Sequence, residues 1–297
     1  MEGGPESTLW PRVALPVAPH DARHRLGTRR RIGDGHSRMV GELHGLVPGY
    51  ARPVAGKARA VANLTTLEGI KAWLRAAVRD YRWNVRGIIL DDGRVIPLPK
   101  EPAVVAKVVE VSVTEHFKRK AYAVPGLDVL DDLSGRGYPD VLMAGRAVEN
   151  RRVALDVKVA RRKVRKSGEA TKTQSRITLG PFDSYFRRPT EPVPGVGVAY
   201  GDMAWHIDLI VLYDWVDGGV ENVEILVVET WRVASMKRSS TTRNYIGAVD
   251  SIADLRSESG HFDSIEDFYA FWRAQPIRRP EPIPPPESVE PEELLGG

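Results

Sequence analysis

Residues 137–160 read Gly-Tyr-Pro-Asp-Val-Leu-Met-Ala-Gly-Arg-Ala-Val-Glu-Asn-Arg-Arg-Val-Ala-Leu-Asp-Val-Lys-Val-Ala. Val141-Leu142-Met143 forms a short strand, a turn follows around Gly145–Asn150, and Val153–Ala160 forms a second strand. Side chains alternate along a strand, so Val153, Leu155, Val157 and Val159 share one face and Ala154, Asp156, Lys158 and Ala160 share the other. Asp156 and Lys158 therefore leave the sheet on the same side. Asp140 starts the preceding strand, and closing the two strands into a hairpin brings its carboxylate beside Asp156.

Two neighbouring carboxylates repel unless a cation lies between them. An incomplete shell of oxygen ligands suits Mg²⁺, which keeps waters and accepts phosphate oxygens. Hydrolysis of a phosphodiester needs a water made nucleophilic, stabilisation of the charge that builds on phosphorus, and help for the leaving oxygen. Lys158 is suited to holding the attacking water and offsetting that charge, and desolvation beside a metal would lower its pKa. The triplet alone does not decide: in a chain with 39 acidic residues an acid–x–Lys triplet is expected by chance. Here Lys158 is the one Lys with an acid two places before it, and Pro139-Asp140 is the one Pro-Asp dipeptide. An exposed strand face with an ordinary Asp156–Lys158 salt bridge explains the same residues.

Outward from this stretch, helices and strands interleave. Leu67, Ile70, Trp73, Leu74, Ala77, Val78 and Tyr81 recur at helical spacing behind the cap candidates Thr65 and Thr66. Val85–Leu90 and Arg94–Leu98 flank Asp91-Asp92-Gly93, a hairpin signal. Val104, Val105, Val108, Val109 and Val113 predict a helix over 103–120. Ile207–Trp215 and Val223–Val228 read as strands. A last helix follows Asp263-Ser264, burying Ile265, Phe268, Phe271 and Trp272. The fold class is α/β, with a central mixed sheet flanked by helices. Three regions are expected: a basic, poorly ordered extension over 1–60, a catalytic and DNA-binding domain over 61–276, and a disordered Pro/Glu-rich tail over 277–297.

Cys is absent, which excludes disulfide frameworks, Cys-type zinc sites and thiol nucleophiles, and fits a reducing, cytoplasmic setting. No apolar run approaches a membrane span, and no secretory leader is expected at the N-terminus. The net charge of +4 is unevenly placed: residues 151–188 hold twelve Lys or Arg against three acids, while 281–297 hold five Glu and no base. A concentrated positive segment suits a polyanion, or it is simply a solvated surface.

The sequence resembles the EcoRV type II restriction endonuclease family over about residues 64–275. The blocks that carry the resemblance occur in order: Gly87-Ile88-Ile89 through Gly93 to Pro97-Leu98, Gly137-Tyr138-Pro139-Asp140, and Ala154-Leu155-Asp156-Val157-Lys158. Ile177-Thr178-Leu179-Gly180 follows with Ser184-Tyr185-Phe186-Arg187, then Trp231-Arg232-Val233-Ala234, Ile246-Gly247, Phe262-Asp263-Ser264, Asp267-Phe268 and Phe271-Trp272-Arg273. The resemblance implies a homodimer that wraps duplex DNA, cuts both strands of a palindromic site and leaves 5′-phosphate and 3′-hydroxyl ends. It implies Mg²⁺ on Asp140 and Asp156, catalysis by Lys158, and an auxiliary metal-binding acid at Glu110, which read alone is an ordinary solvated Glu beside Lys107 and Thr114. It implies a minor-groove loop at Ser134, Gly135, Arg136 and Gly137. The major-groove loop would comprise Lys237, Arg238, Ser239, Ser240, Thr241, Thr242, Arg243 and Asn244. A cognate DNA methyltransferase is expected in the same cell.

Two departures bear on function. The recognition loop of relatives is Gly-rich, whereas 237–244 has no Gly and three bases, which favours guanines in the site. The family's Thr pair after the catalytic Lys is replaced by Val159-Ala160, with Arg161, Arg162 and Lys163 beyond, so Arg side chains are expected to take over phosphate contacts. Two other readings stay open. One is a structure-guided repair or junction nuclease of the same superfamily. The other is a non-catalytic DNA-binding protein on a decayed nuclease core, against which the intact Asp140, Asp156 and Lys158 set speaks.

Overall fold

The computed structural model describes residues 63–131, 137–241 and 243–278. The expected extension over 1–60 and nearly all of the tail lie outside them. The first helix, α1 (Leu67–Val78), starts where Thr66 Oγ1 accepts the Gly69 amide at 3.2 Å. A short hairpin follows, β1 (Ile88–Ile89) and β2 (Val95–Ile96), turning through Gly93 at φ 83°. Its strands are much shorter than the apolar runs predict. The helix α2 (Pro102–Ala121) opens on Pro102, whose missing N–H costs nothing in a first turn. It buries Val105, Val109, Val113, Phe117 and Ala121, a stripe of i, i+4 steps that overrides the β preference of valine.

The predicted hairpin is β4 (Val141–Ala144) and β5 (Val153–Val164), paired antiparallel with Val141 opposite Leu155. Before it comes β3 (Asp128–Asp131), and after it β6 (Ala170–Thr173), β7 (Thr178–Pro181), β8 (Trp205–Val216) and β9 (Gly219–Glu229). The last elements among the described residues are β10 (Ala234–Arg238), β11 (Tyr245–Ala248), α3 (Ile252–Arg256) and α4 (Ile265–Ala274), the last capped by Ser264. The central sheet runs β3-β4-β5-β8-β9, with β6 on the far end of β5. It is mixed because β5 and β8 are parallel while their outer neighbours are antiparallel. A second antiparallel sheet runs β10-β11-β7.

Both faces of the central sheet are covered. Val153, Leu155, Val157, Ile207, Leu209 and Val211 pack with the buried stripes of α1 and α2. Ala154, Ala160, Ile210 and Leu212 face Leu179, Phe182, Ile246, Phe268 and Trp272 from the second sheet and α4. The strand face that carries Asp156 and Lys158 is therefore interior, and the reading of it as an exposed surface falls. Among the described residues, no helix is long and apolar enough to cross a membrane.

Helix α1 is held to this framework by a buried cation. Lys71 is 3% exposed, and its Nζ lies 2.8 Å from both carboxylate oxygens of Glu258 and 3.6 Å from Glu229 Oε1. Glu258 Oε2 also accepts the Glu229 amide at 3.1 Å. Removing the ammonium would leave the largely buried Glu258 carboxylate with Arg75, 3.5 Å away, as its remaining cation. Lys71→Ala should cost about 3 kcal/mol in a denaturant titration, whereas Arg75→Ala, at the solvent rim of the same cluster, should cost under about 1 kcal/mol.

Candidate active site

The hairpin gathers the predicted trio. Asp140 sits one residue before β4, opposite the part of β5 that carries Asp156. Its Oδ2 accepts the Val157 amide at 2.7 Å, and its own amide lies 3.3 Å from Asp156 Oδ1. Carboxylates thus replace ladder carbonyls where β4 stops. Lys158 Nζ forms an ion pair with Asp156 Oδ2. From residue 156 to 161, β5 has no ladder partner on this edge, because β4 pairs only as far as Leu155 and β6 begins at Arg162. A cleft of about 320 Å³ opens there, lined by Glu110, Val157–Ala160 and Ser175–Thr178.

Burial, followed by the Asp156 carboxylate, pushes Asp140 up to about 8. Burial alone would lower Lys158, but Asp156, Asp208 and Asp140 outweigh it and hold the ammonium above its ordinary value. A fall in the Lys158 pKa is therefore not what the protein environment produces. Lys158 is a cation here, able to offset charge on a bound anion.

As for a metal, Asp140 is half-buried and Asp156 is 3% exposed beside the cleft-lining Val157 and Lys158, and Asp156 Oδ2 is buried with no hydrogen bond of normal geometry. No group of three or more His, Asp or Glu converges among the described residues. The protein thus supplies a partial, all-oxygen set, which fits an ion that keeps waters and takes substrate oxygens. Glu110 lines the cleft from α2 but is paired with Lys107 at 2.5 Å.

The reading elements divide. Ser134, Gly135, Arg136 and Thr242 lie outside the described residues, while Gly137 is half-buried just before the site. Lys237 and Arg238 belong to β10 and not to a loop. Arg238 lies over the Phe182 ring at 4.9 Å and donates to Asn244 Oδ1 and the Pro276 carbonyl. Asn244 is buried, and its amide bonds Asp183 and the Arg278 backbone. Ser239 Oγ accepts from Thr178, and Ser240 Oγ accepts the Arg243 amide. Lys237, Thr241 and Arg243 face solvent. Of the bases after Lys158, Arg162 is buried against Glu224 at 2.7 Å and Asp214 at 3.6 Å, so the expectation that it holds phosphate is corrected. Lys163 is exposed and Arg161 half-exposed.

The model of the EcoRV restriction endonuclease family matches residues 79–284. The chain belongs to that family. No curated protein matches it. The endonuclease also holds residues around its trio that sequence reasoning missed. Asp208 on β8 is the parallel register partner of Asp156 and is 0% exposed, with both carboxylate oxygens lacking a hydrogen bond of normal geometry. The available signal was a lone acid within Ile207–Leu212, a run that a strand covered on both faces must bury. Tyr138, just before Pro139-Asp140, shares a 2.6 Å hydrogen bond with His206 Nδ1. Tyr185 and His206 each stack on both Tyr138 and Tyr200, and Tyr200 is tilted against Tyr138. Burial lowers His206 to about 4, so its ring is neutral and its Nδ1 can accept the phenol proton. This stack backs the carboxylates.

Burial and then Asp156 raise Asp208 from 3.8 to about 7. The unfolded chain releases that proton near 3.8, so folding stability from this group falls as pH rises from about 4 to about 7 and is level above. In metal-free protein, Asp208→Asn should therefore be more stable than the parent at pH 8, by about 4 kcal/mol. The difference should vanish near pH 4, as read by denaturant titrations at both values.

Proposed function

We propose that the protein is a Mg²⁺-dependent type II restriction endonuclease, hydrolysing phosphodiesters in both strands of a short palindromic DNA site as a homodimer. The observation that carries the reading is the hairpin juxtaposition of Asp140, Asp156 and Lys158 at an unpaired strand edge. Asp140 and Asp156 would hold the ion, which when bound polarises the phosphodiester and acidifies a water. Lys158 offsets the charge that grows on the phosphoryl oxygens as the water oxygen attacks phosphorus and the bond to the 3′ oxygen breaks. The Val157 amide fixes Asp140, and the aromatic stack under Tyr138 and His206 keeps water from the rear of the carboxylates. Glu110, at the cleft wall, is a candidate to tune the ion once its bond to Lys107 opens.

A homodimer follows from a palindromic substrate, since two-fold symmetry places one copy of the reading elements on each half-site. The β1–β2 hairpin supports it: Ile88, Ile89, Val95 and Ile96 are all exposed on a two-stranded ribbon that no third strand completes among the described residues. A second copy of the chain would cover them. Lys237 and Arg243 are the exposed bases left for reading guanines. A cell that makes such an enzyme needs a methyltransferase to protect its own sites.

Plasmid digestion with Mg²⁺, followed by sequencing of the ends, tests the reading directly. Discrete fragments with a common palindrome at the ends are expected. Asp156→Ala and Lys158→Ala should each lower the cleavage rate on the order of 10³-fold while still binding DNA in Ca²⁺. Cleavage at random positions, or none, would refute it.

The pH behaviour of the ion is a separate expectation. Asp140 keeps its proton up to about pH 8 in the metal-free protein, so an incoming cation must displace it. Mg²⁺ or Mn²⁺ should bind more tightly at pH 8.5 than at pH 6.5, with proton release measurable by calorimetry in two buffers of different ionisation enthalpy.

A further inference from the structure

Arg176 lines the cleft beside Lys158 and Glu110 yet has no part in the trio or in the predicted reading loop. Its Nη1 donates to the Arg238 carbonyl of β10 at 3.1 Å, and its Nε is buried with no acceptor. It forms no ion pair among the described residues. The residues around it are arranged to admit it: a Cβ on Gly247 of β11 would lie 2.4 Å from Arg176 Cδ and 2.5 Å from the Lys237 carbonyl. The segment that carries Arg176 is tied at both ends. The Gln174 amide donates to the Arg161 carbonyl of β5 at 2.8 Å, and Thr178 Oγ1 donates to Ser239 Oγ at 2.8 Å.

A guanidinium without a carboxylate, held at the wall of a catalytic cleft, is a site for an anion. The anion available in that cleft is a phosphate of the substrate backbone, and a guanidinium fork suits two phosphate oxygens. We propose that Arg176 is a phosphate clamp that grips the DNA backbone beside the scissile bond and, through its bond to β10, sets the cleft in register with the base-reading strand. Phosphate contacts of this kind fix register without reading sequence.

The inference rests on the DNA-cleaving reading above, and one experiment separates the two. Binding of a short duplex carrying the mapped site is followed by fluorescence anisotropy in Ca²⁺ over a range of salt. Arg176→Gln should weaken binding about 10-fold and flatten the slope of log K against log salt by about 1.8, one phosphate contact from each of the two protomers. Arg176→Lys should restore the slope but not the full affinity, since a point charge replaces a fork. A loss that was merely structural would leave the slope unchanged. On the wild-type protein, bound duplex should shield Arg176 from phenylglyoxal in peptide mapping, a readout that does not depend on any variant folding. An unchanged slope in Arg176→Gln, or equal modification with and without DNA, overturns the clamp. A wild-type protein that binds no duplex overturns the DNA-cleaving reading itself.

Discussion

Two hydrogen bonds cross between Asp140 and the strand that carries Asp156, and the chemistry of the site depends on them. The Val157 amide donates to the Asp140 carboxylate, and the Asp140 amide reaches Asp156 Oδ1. Each satisfies a backbone donor that the end of β4 would otherwise leave bare inside the protein. They also fix the distance between the two acids. Because the β4 ladder stops at Leu155 and the β6 ladder starts at Arg162, the strand edge between them is free to meet a ligand. A longer β4 would have given a more regular sheet and no site.

This arrangement concentrates charge in an interior that resists it. Asp156 is ion-paired with the Lys158 ammonium, Asp140 and Asp208 act on it from farther away, and burial drives Asp140 and Asp208 up toward neutrality. The cluster is unfavourable to the fold and favourable to a cation, which is the usual balance at a site that must bind charge. The cost is borne by two hydrophobic cores, one on each face of the sheet. One joins the sheet to α1 and α2, and the other joins it to the β10-β11-β7 sheet and α4. The face of β5 that carries Asp156 and Lys158 belongs to the second core, which also carries β10. The two strands are therefore parts of one packed layer.

The excess of bases over residues 151–188 divides between two tasks. Arg162 neutralises Glu224 and Asp214 within the sheet, and Arg187 donates to the Phe182 and Gln275 carbonyls. Lys163, Arg165 and Lys166 remain exposed beyond the open edge of β5. Net charge along the chain cannot make this division, because it depends on whether a carboxylate from a distant strand arrives opposite each base.

Period and spacing alone determined the β4–β5 hairpin, the shared face of Asp156 and Lys158, the caps of α1 and α4, and the helical state of the valine-rich α2. Each follows from forces that act within a few residues, namely alternation, i, i+4 stripes and caps. The resemblance carried by collinear blocks led to the family. Tertiary structure decided what local rules cannot reach. The parallel register of β5 on β8 set Asp208 beside Asp156, and packing on both faces buried a strand that could equally have been exposed. The small sheet turned Arg238 and Asn244 inward while leaving Lys237 and Arg243 outside, and it carried Arg176 to the cleft. These outcomes depend on contacts between segments tens of residues apart, where burial and charge pairing are set by the partner that arrives and not by the residue itself.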